Sequence, residues 1–134
     1  ISKLSSVISI NGGVQLDLMG QENAESTGTR QLSGVGGQMD FLEGAYRSKG
    51  GKGFICINSS RVTKDGERKS NILATIPGGS TISAPRTMIQ YVATEYGIAS
   101  LSGKTLRERA EAMATIAHPD FREELMKYAR ENFK

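Results

Sequence analysis

Histidine, cysteine and tryptophan are almost missing from this sequence: its 134 residues hold one His, one Cys and no Trp. A disulfide needs two cysteines, and zinc or iron–sulfur sites need three or four nitrogen or sulfur ligands, so one chain can build neither. A Ser-His-Asp or Cys-His device would have to use His118, with no second histidine for any other role. No run approaches the length of a membrane span, and the N-terminus lacks a signal peptide's basic and apolar regions. The expectation is a cytoplasmic protein with no membrane partner. Ile1 stands where an initiator Met would, which fits a fragment or a processed product.

What is present suffices for one domain. A chain of this length buries roughly two-thirds of its unfolded surface and needs no covalent staple. With 37% hydrophobic and 23% charged residues it is expected to be globular. The net charge of +3 is localised: residues 1–45 sum to −3, residues 46–70 to +5 and the remainder to +1. The basic segment carries Arg47, Lys49, Lys52, Arg61, Lys64, Arg68 and Lys69 against Asp65 and Glu67. Such a stretch suits a phosphorylated ligand, and it is also what a solvated loop looks like. With 6% aromatics and no Lys/Arg–aromatic interleaving, nucleic acid is not an expected partner.

Val7–Asn11 and Val14–Leu18 are β-prone and flank Gly12-Gly13, which predicts a hairpin. Residues 19–38 read as a long polar, Gly-rich connection. From Met39 the period becomes helical, with Met39, Phe41, Leu42, Ala45 and Tyr46 on one side and a stop at Lys49-Gly50-Gly51. Gly53–Asn58 predicts a buried strand with Cys56 as a small buried hydrophobe. Thr63–Glu67 reads as a basic turn, and Ile72–Ile76, Thr81–Ser83 and Tyr91–Thr94 read as strands. Thr105-x-x-Glu108 is a capping box ahead of a helix whose inner face is Leu106, Ala110, Met113 and Ala117. His118-Pro119-Asp120 breaks that helix and starts another, with Phe121, Leu125, Tyr128 and Ala129 inward. His118 therefore reads as a boundary residue, and the whole as an α/β domain without repeats or linkers.

Two glycine-rich stretches fail familiar templates. From Gly34, the dinucleotide fingerprint needs a glycine where Met39 stands, and no strand leads into that loop. Gly97–Thr105 carries five residues between its glycines where a P-loop has four. What remains is Gly34, Gly36 and Gly37 directly ahead of a helix. Unpaired N–H groups there form either an anion or oxyanion site or a plain tight turn. Glu95 closes an apolar strand, where ligand sites collect in α/β sheets and where a solvated carboxylate is equally ordinary.

The combination Ser33-Gly34-Val35-Gly36-Gly37-Gln38-Met39-Asp40-Phe41, Gly50-Gly51-Lys52, Thr94-Glu95-Tyr96-Gly97-Ile98-Ala99 and Ile116-Ala117-His118-Pro119-Asp120-Phe121 resembles the C-terminal domain of the acetyl-CoA hydrolase/transferase family. That family includes 4-hydroxybutyrate, butyrate and succinate CoA-transferases. The resemblance runs in one order from about Val7 to the last helix. It implies that residues 1–134 are the C-terminal domain of a two-domain enzyme: a CoA-transferase-type α/β domain, a mixed sheet flanked by helices with a helical C-terminus. It also implies a ping-pong reaction in which a glutamate attacks an acyl-CoA thioester and then carries CoA as its own thioester. That nucleophile lies upstream of the matched region, so Glu95 is not promoted to fill its place.

Carried over residue by residue, Gly36 and Gly37 match the family's oxyanion-forming Gly-Gly pair. Glu95 matches an active-site glutamate that orients or polarises. Gly34, Gly37, Gln38, Gly51, Lys52 and Arg86 are implied contacts of CoA, with Lys52 a phosphate partner and Arg86 as well suited to a structural ion pair. Asn71 departs from the pattern, since the family more often has arginine there. The expected partners are acyl-CoA, a small carboxylate, the N-terminal domain of the same enzyme and further copies in a homodimer or larger homo-oligomer. No tightly bound cofactor and no metal are expected. Elimination agrees: without a usable Ser/His or Cys/His pair, acyl transfer is left with a carboxylate nucleophile. An acetyl-CoA hydrolase of the same family and a non-catalytic CoA-binding module are the rival readings.

Overall fold

The computed structural model describes residues 1–134. Strands β1 (Ile8–Gly12), β2 (Gln15–Asp17), β3 (Glu22–Asn23), β4 (Ser26–Thr27) and β5 (Arg30–Gln31) precede helix α1 (Gln38–Arg47). Then follow β6 (Lys52–Cys56), β7 (Ser60–Val62), β8 (Arg68–Ser70), β9 (Ile72–Leu73), β10 (Tyr91–Thr94) and β11 (Gly97–Ser100). Helices α2 (Leu106–Thr115) and α3 (Pro119–Asn132) close the chain. The main sheet has the order β1-β6-β10-β11, the first three parallel and β11 antiparallel. A second sheet has the order β3-β2-β9, and β4-β5 and β7-β8 are separate two-stranded ribbons.

Strand pleat sorts the main sheet into two unlike faces. Ile55, Val92 and Ala99 are buried, and a Cβ on Gly53 would lie 3.2 Å from Leu42 of α1, so this face carries the helices. The opposite face leaves Ile8, Ile10 and Ile98 between 63% and 69% exposed. Cys56 has the parity of that second face and is exposed, which corrects the expectation of a buried thiol. A continuous apolar run reads as buried on both sides, and only the layer arrangement reveals that one side is bare.

Gly12-Gly13 does not close a hairpin. β1 pairs with β6, while β2 crosses into the second sheet to pair with β3 and β9. Gly13 is needed for close packing instead, because a Cβ there would sit 2.6 Å from Glu22 Oε1. Of residues 19–38, only 31–37 are an exposed connection; the first part is not free. Asn23 Oδ1 accepts from the Glu25 and Ser26 amides and its Nδ2 donates to the Ser26 carbonyl, so Glu22–Ser26 is buried with its polar groups engaged, apart from partly exposed Ala24. Thr81–Ser83 forms no strand: the Ser83 amide donates to the Glu22 carbonyl and its hydroxyl to Glu25, and the only pairing is an isolated antiparallel bridge between Glu22 and Ala84. The run at 72–76 shortens to β9, Ile72–Leu73.

The helices follow their signals more closely. In α1, Leu42 and Ala45 are buried as expected, whereas Phe41 and Tyr46 are exposed, so the apolar stripe is narrower than the period suggested. The capping box of α2 is formed in both directions between Thr105 and Glu108. His118 caps α3, its Nδ1 accepting from the Asp120 amide at 3.3 Å, with Pro119 in the first turn. Arg109 of α2 is buried and clasps three segments: Nε donates to the Met19 carbonyl at 2.8 Å, Nη1 to Leu101 at 2.9 Å and Nη2 to Arg86 at 2.8 Å. No helix is long and apolar enough to cross a membrane.

Candidate functional site

Parallel strands end together by construction, and here Gly12 of β1, Cys56 of β6 and Ala93 of β10 share one register. Just beyond them lies an open cleft of about 400 Å³ lined by Gly13, Cys56, Ile57, Asn58, Ala93 and Thr94. Crevices at the C-terminal ends of parallel strands are where α/β sheets hold ligands, because strand ends there diverge into separate loops.

Glu95 follows β10 directly and forms, with Tyr96, the turn into β11. The Thr94 hydroxyl donates to the Ile116 carbonyl at 2.7 Å, fastening this turn to the junction of α2 and α3. Tyr96 lies edge-on to His118 at 5.7 Å and under the Arg122 guanidinium at 5.0 Å. Desolvation pushes the Glu95 pKa up, but hydrogen bonds from the Ser59 hydroxyl and amide and from its own backbone, together with His118, outweigh it and hold the pKa below the ordinary carboxylate value. Glu95 is thus a fixed carboxylate at neutral pH, beside Asn58 on the cleft wall.

Gly37 is the N-cap of α1 and places no side chain on the first turn. Gly36, at φ +60°, turns the chain into the helix through a conformation that favours glycine. The helix therefore opens with its first amides uncapped by its own N-cap residue. Gln38 connects this opening to the cleft: its Nε2 donates to both oxygens of Glu22, at 2.7 and 2.6 Å, and Glu22 packs beneath Gly13 of the cleft wall. Burial raises Glu22 to a pKa of about 7, with the Gln38 bond pulling the other way.

The expected site residues divide accordingly. The cleft edge holds Glu95 and, through Gln38, the Gly36-Gly37 opening. Gly51 and Lys52 lie at the opposite end of β6, with Lys52 about 13 Å from Cys56 at the usual strand rise. Gly51 has a packing reason of its own, since a Cβ there would collide with the Ala45 carbonyl. Arg86 is exposed, with its Nη1 3.7 Å from Met19 Sδ and its carbonyl held by Arg109. Gly34 is exposed, with open space around it. Asn71, the departure from the family pattern, accepts from Arg61 at 2.6 Å and donates to the Asn58 carbonyl, so it braces the cleft wall against the β7–β8 ribbon.

Sequence reasoning missed Ser59, Glu22 and Gly13. Gln21-Glu22-Asn23 looks like a solvated loop, and no local signal marks it as buried. Ser59 follows a strand end, which was the one available hint. No three His, Cys, Asp or Glu side chains gather closely enough to hold a metal ion.

The family model described as the acetyl-CoA hydrolase/transferase C-terminal domain matches residues 1–129. The butyryl-CoA:acetate CoA-transferase of Anaerostipes caccae is 48% identical over 96% of this chain and 29% of its own length. The 4-hydroxybutyrate coenzyme A transferase of Clostridium kluyveri is 49% identical over 99% of this chain and 30% of its own length. The chain thus spans less than a third of the curated relatives it matches. Acetyl-CoA hydrolase of Kluyveromyces lactis is 32% identical over 91% of this chain. Among solved structures, RipA from Yersinia pestis superposes with a TM-score of 0.81 at 40% identity, covering 95% of this chain and 28% of that one. The 4-hydroxybutyrate CoA-transferase of Porphyromonas gingivalis gives 0.71 at 41% identity, covering 94% and 27%.

Proposed function

Because this chain belongs to the acetyl-CoA hydrolase/transferase family through its C-terminal domain, we propose that it forms the oxyanion and CoA-binding wall of a carboxylate CoA-transferase acting on acetyl-CoA and a small acid. The observation that carries this reading is the opening of α1 at Gly37 without a side-chain cap, joined by Gln38 and Glu22 to the cleft at the strand ends. Amides at a helix N-terminus stabilise the negative charge that develops on a thioester oxygen under attack. A glutamate from the rest of the enzyme attacks the acyl carbon, the C–S bond breaks and CoA leaves as its thiolate. The thiolate then attacks the glutamyl carbonyl of the mixed anhydride, releasing the first acid and leaving CoA on the enzyme as a thioester. A second carboxylate takes over the CoA by the same steps in reverse.

Glu95 orients the reacting groups and is not the nucleophile: its two oxygens are already committed to Ser59, and its lowered pKa reflects a carboxylate held in place. Transfer is preferred over hydrolysis because relatives named as transferases reach 48% and 49% identity, against 32% for an acetyl-CoA hydrolase. The test uses the complete protein with acetyl-CoA. Trapping of an enzyme–CoA thioester that hydroxylamine or borohydride destroys, with CoA passing to added butyrate, is expected. CoA binding with no trappable thioester would mean a binding module, and thioester loss that ignores added acid would mean a hydrolase.

A further inference from the structure

The proposed reaction gives no role to the buried carboxylates Asp17, Glu22 and Glu25, and of the three Glu22 has only Gln38 as a donor. It is fully buried in β3, between Gly13 of the cleft wall and Gln38 at the start of α1. No charged group offsets its burial. Asp17, on the neighbouring strand, is engaged by the Met19 and Gln21 amides and the Gln21 side chain, and Glu25 by Ser83 and Gln31. An uncompensated buried carboxylate is costly, so its presence needs a reason.

The segment before α1 supplies one. Residues 31–37 are all exposed, and Gln38 is the first buried residue after them. A Cβ at Gly34 or Gly36 would touch nothing, so this stretch makes little packing contact of its own. The bond pair from Gln38 Nε2 to Glu22 is the buried attachment at this end of the helix.

We propose that Glu22 is a positioning residue: acting through Gln38, it fixes the first turn of α1 and thereby the direction of the amides around Gly37. The inference rests on the CoA-transfer reading of the same site. The ionised form does this work, because both of its oxygens accept from Gln38, whereas a protonated oxygen would confront the Gln38 amide donor with another donor. Activity should therefore rise as Glu22 loses its proton, near the pH of about 7 to which burial, opposed by Gln38, sets it.

The test is made on the complete protein, with CoA transfer from acetyl-CoA to butyrate followed from pH 5.5 to 8.5. Glu22→Gln keeps the shape and an acceptor for Gln38 but cannot ionise. It is expected to lower kcat about tenfold at pH 8 with KM for acetyl-CoA within twofold, and to abolish the rise of kcat across neutral pH. Gln38→Met removes the link itself and is expected to lower kcat at pH 8 about as far as Glu22→Gln does and likewise to abolish the rise across neutral pH. The exchanged pair, Glu22→Gln with Gln38→Glu, restores a donor and an ionised acceptor and is expected to recover most of kcat. An independent readout is amide hydrogen exchange of the peptide 37–42, in which the Phe41 amide donates to the Gly37 carbonyl at 3.2 Å. Exchange should quicken in both single variants. A wild-type pH profile in Glu22→Gln, or unchanged exchange in both variants, overturns the proposal. If Glu22→Gln does not fold, a rise of kcat across neutral pH that persists in Gln38→Met overturns it. If the wild-type protein transfers no CoA, the functional reading fails, and the exchange measurement alone decides whether Glu22 positions the turn.

Discussion

Ser59 holds both oxygens of Glu95 at once, its amide donating to Oε2 at 2.9 Å and its hydroxyl to Oε1 at 2.6 Å. The residue directly before β7 thus sets the rotamer and the charge of the residue directly after β10, across the mouth of the cleft. Two donors on one carboxylate favour the ionised form, and this is why a partly desolvated group still titrates low.

Ser59→Ala removes one of those donors. The Glu95 pKa is then expected to rise toward the ordinary carboxylate value, and the acid limb of kcat to move to higher pH. Carboxyl NMR of Glu95 reads the first effect directly. A folded pKa depressed in this way adds stability above the unfolded value and loses it as pH falls through the folded one, so the variant should also be less sensitive to acid.

Glu22 has the opposite sign. Its pKa rises from 4.5 to about 7 on folding, so between those values the folded chain keeps a proton that the unfolded chain has released. Stability is therefore expected to fall as pH rises through that window, by up to about 3 kcal/mol. Glu22→Gln should flatten this slope. Urea midpoints at pH 5 and pH 8 for both proteins give the comparison, and equal slopes would contradict it.

Glycines 37 and 51 should respond differently to alanine. At Gly37 the backbone is ordinary, φ −94°, and a Cβ would meet only Phe41 at 3.6 Å, so Gly37→Ala should leave melting unchanged while obstructing approach to the helix amides and lowering kcat. At Gly51 a Cβ collides with the Ala45 carbonyl, and Gly51→Ala should cost about 2 kcal/mol or more of stability. Loss of activity at Gly51 without loss of stability would speak against the packing role.

Arg109→Met is expected to be the most damaging of the substitutions considered, because three carbonyls, that of Leu101 buried and those of Met19 and Arg86 partly so, lose a charged donor together. Each unsatisfied group costs about 1–3 kcal/mol, so the total should exceed 3 kcal/mol. Arg109→Lys, lacking the fork that reaches three acceptors, should recover only part. Thr105→Ala, by contrast, breaks an exposed cap and should cost about 1 kcal/mol with no effect on kcat.

Local chemistry alone determined the helices. The period from Met39, the Thr105/Glu108 box and the His118-Pro119 boundary each act within four residues, and each formed where the residues indicate. The motif order likewise identified the family, since it depends on residue identity and not on packing. Pairing partners were another matter: β1 and β2 are neighbours in sequence yet lie in different sheets, because their partners come from residues 52–56 and 72–73. The bare sheet face that exposes Cys56 and the separation of Lys52 from the cleft both follow from that pairing. The burial of Glu22 does too, and it is the clearest case. Its neighbours in sequence are polar, and only the distant residues Gly13 and Gln38, brought together by the two sheets and α1, make it a buried carboxylate.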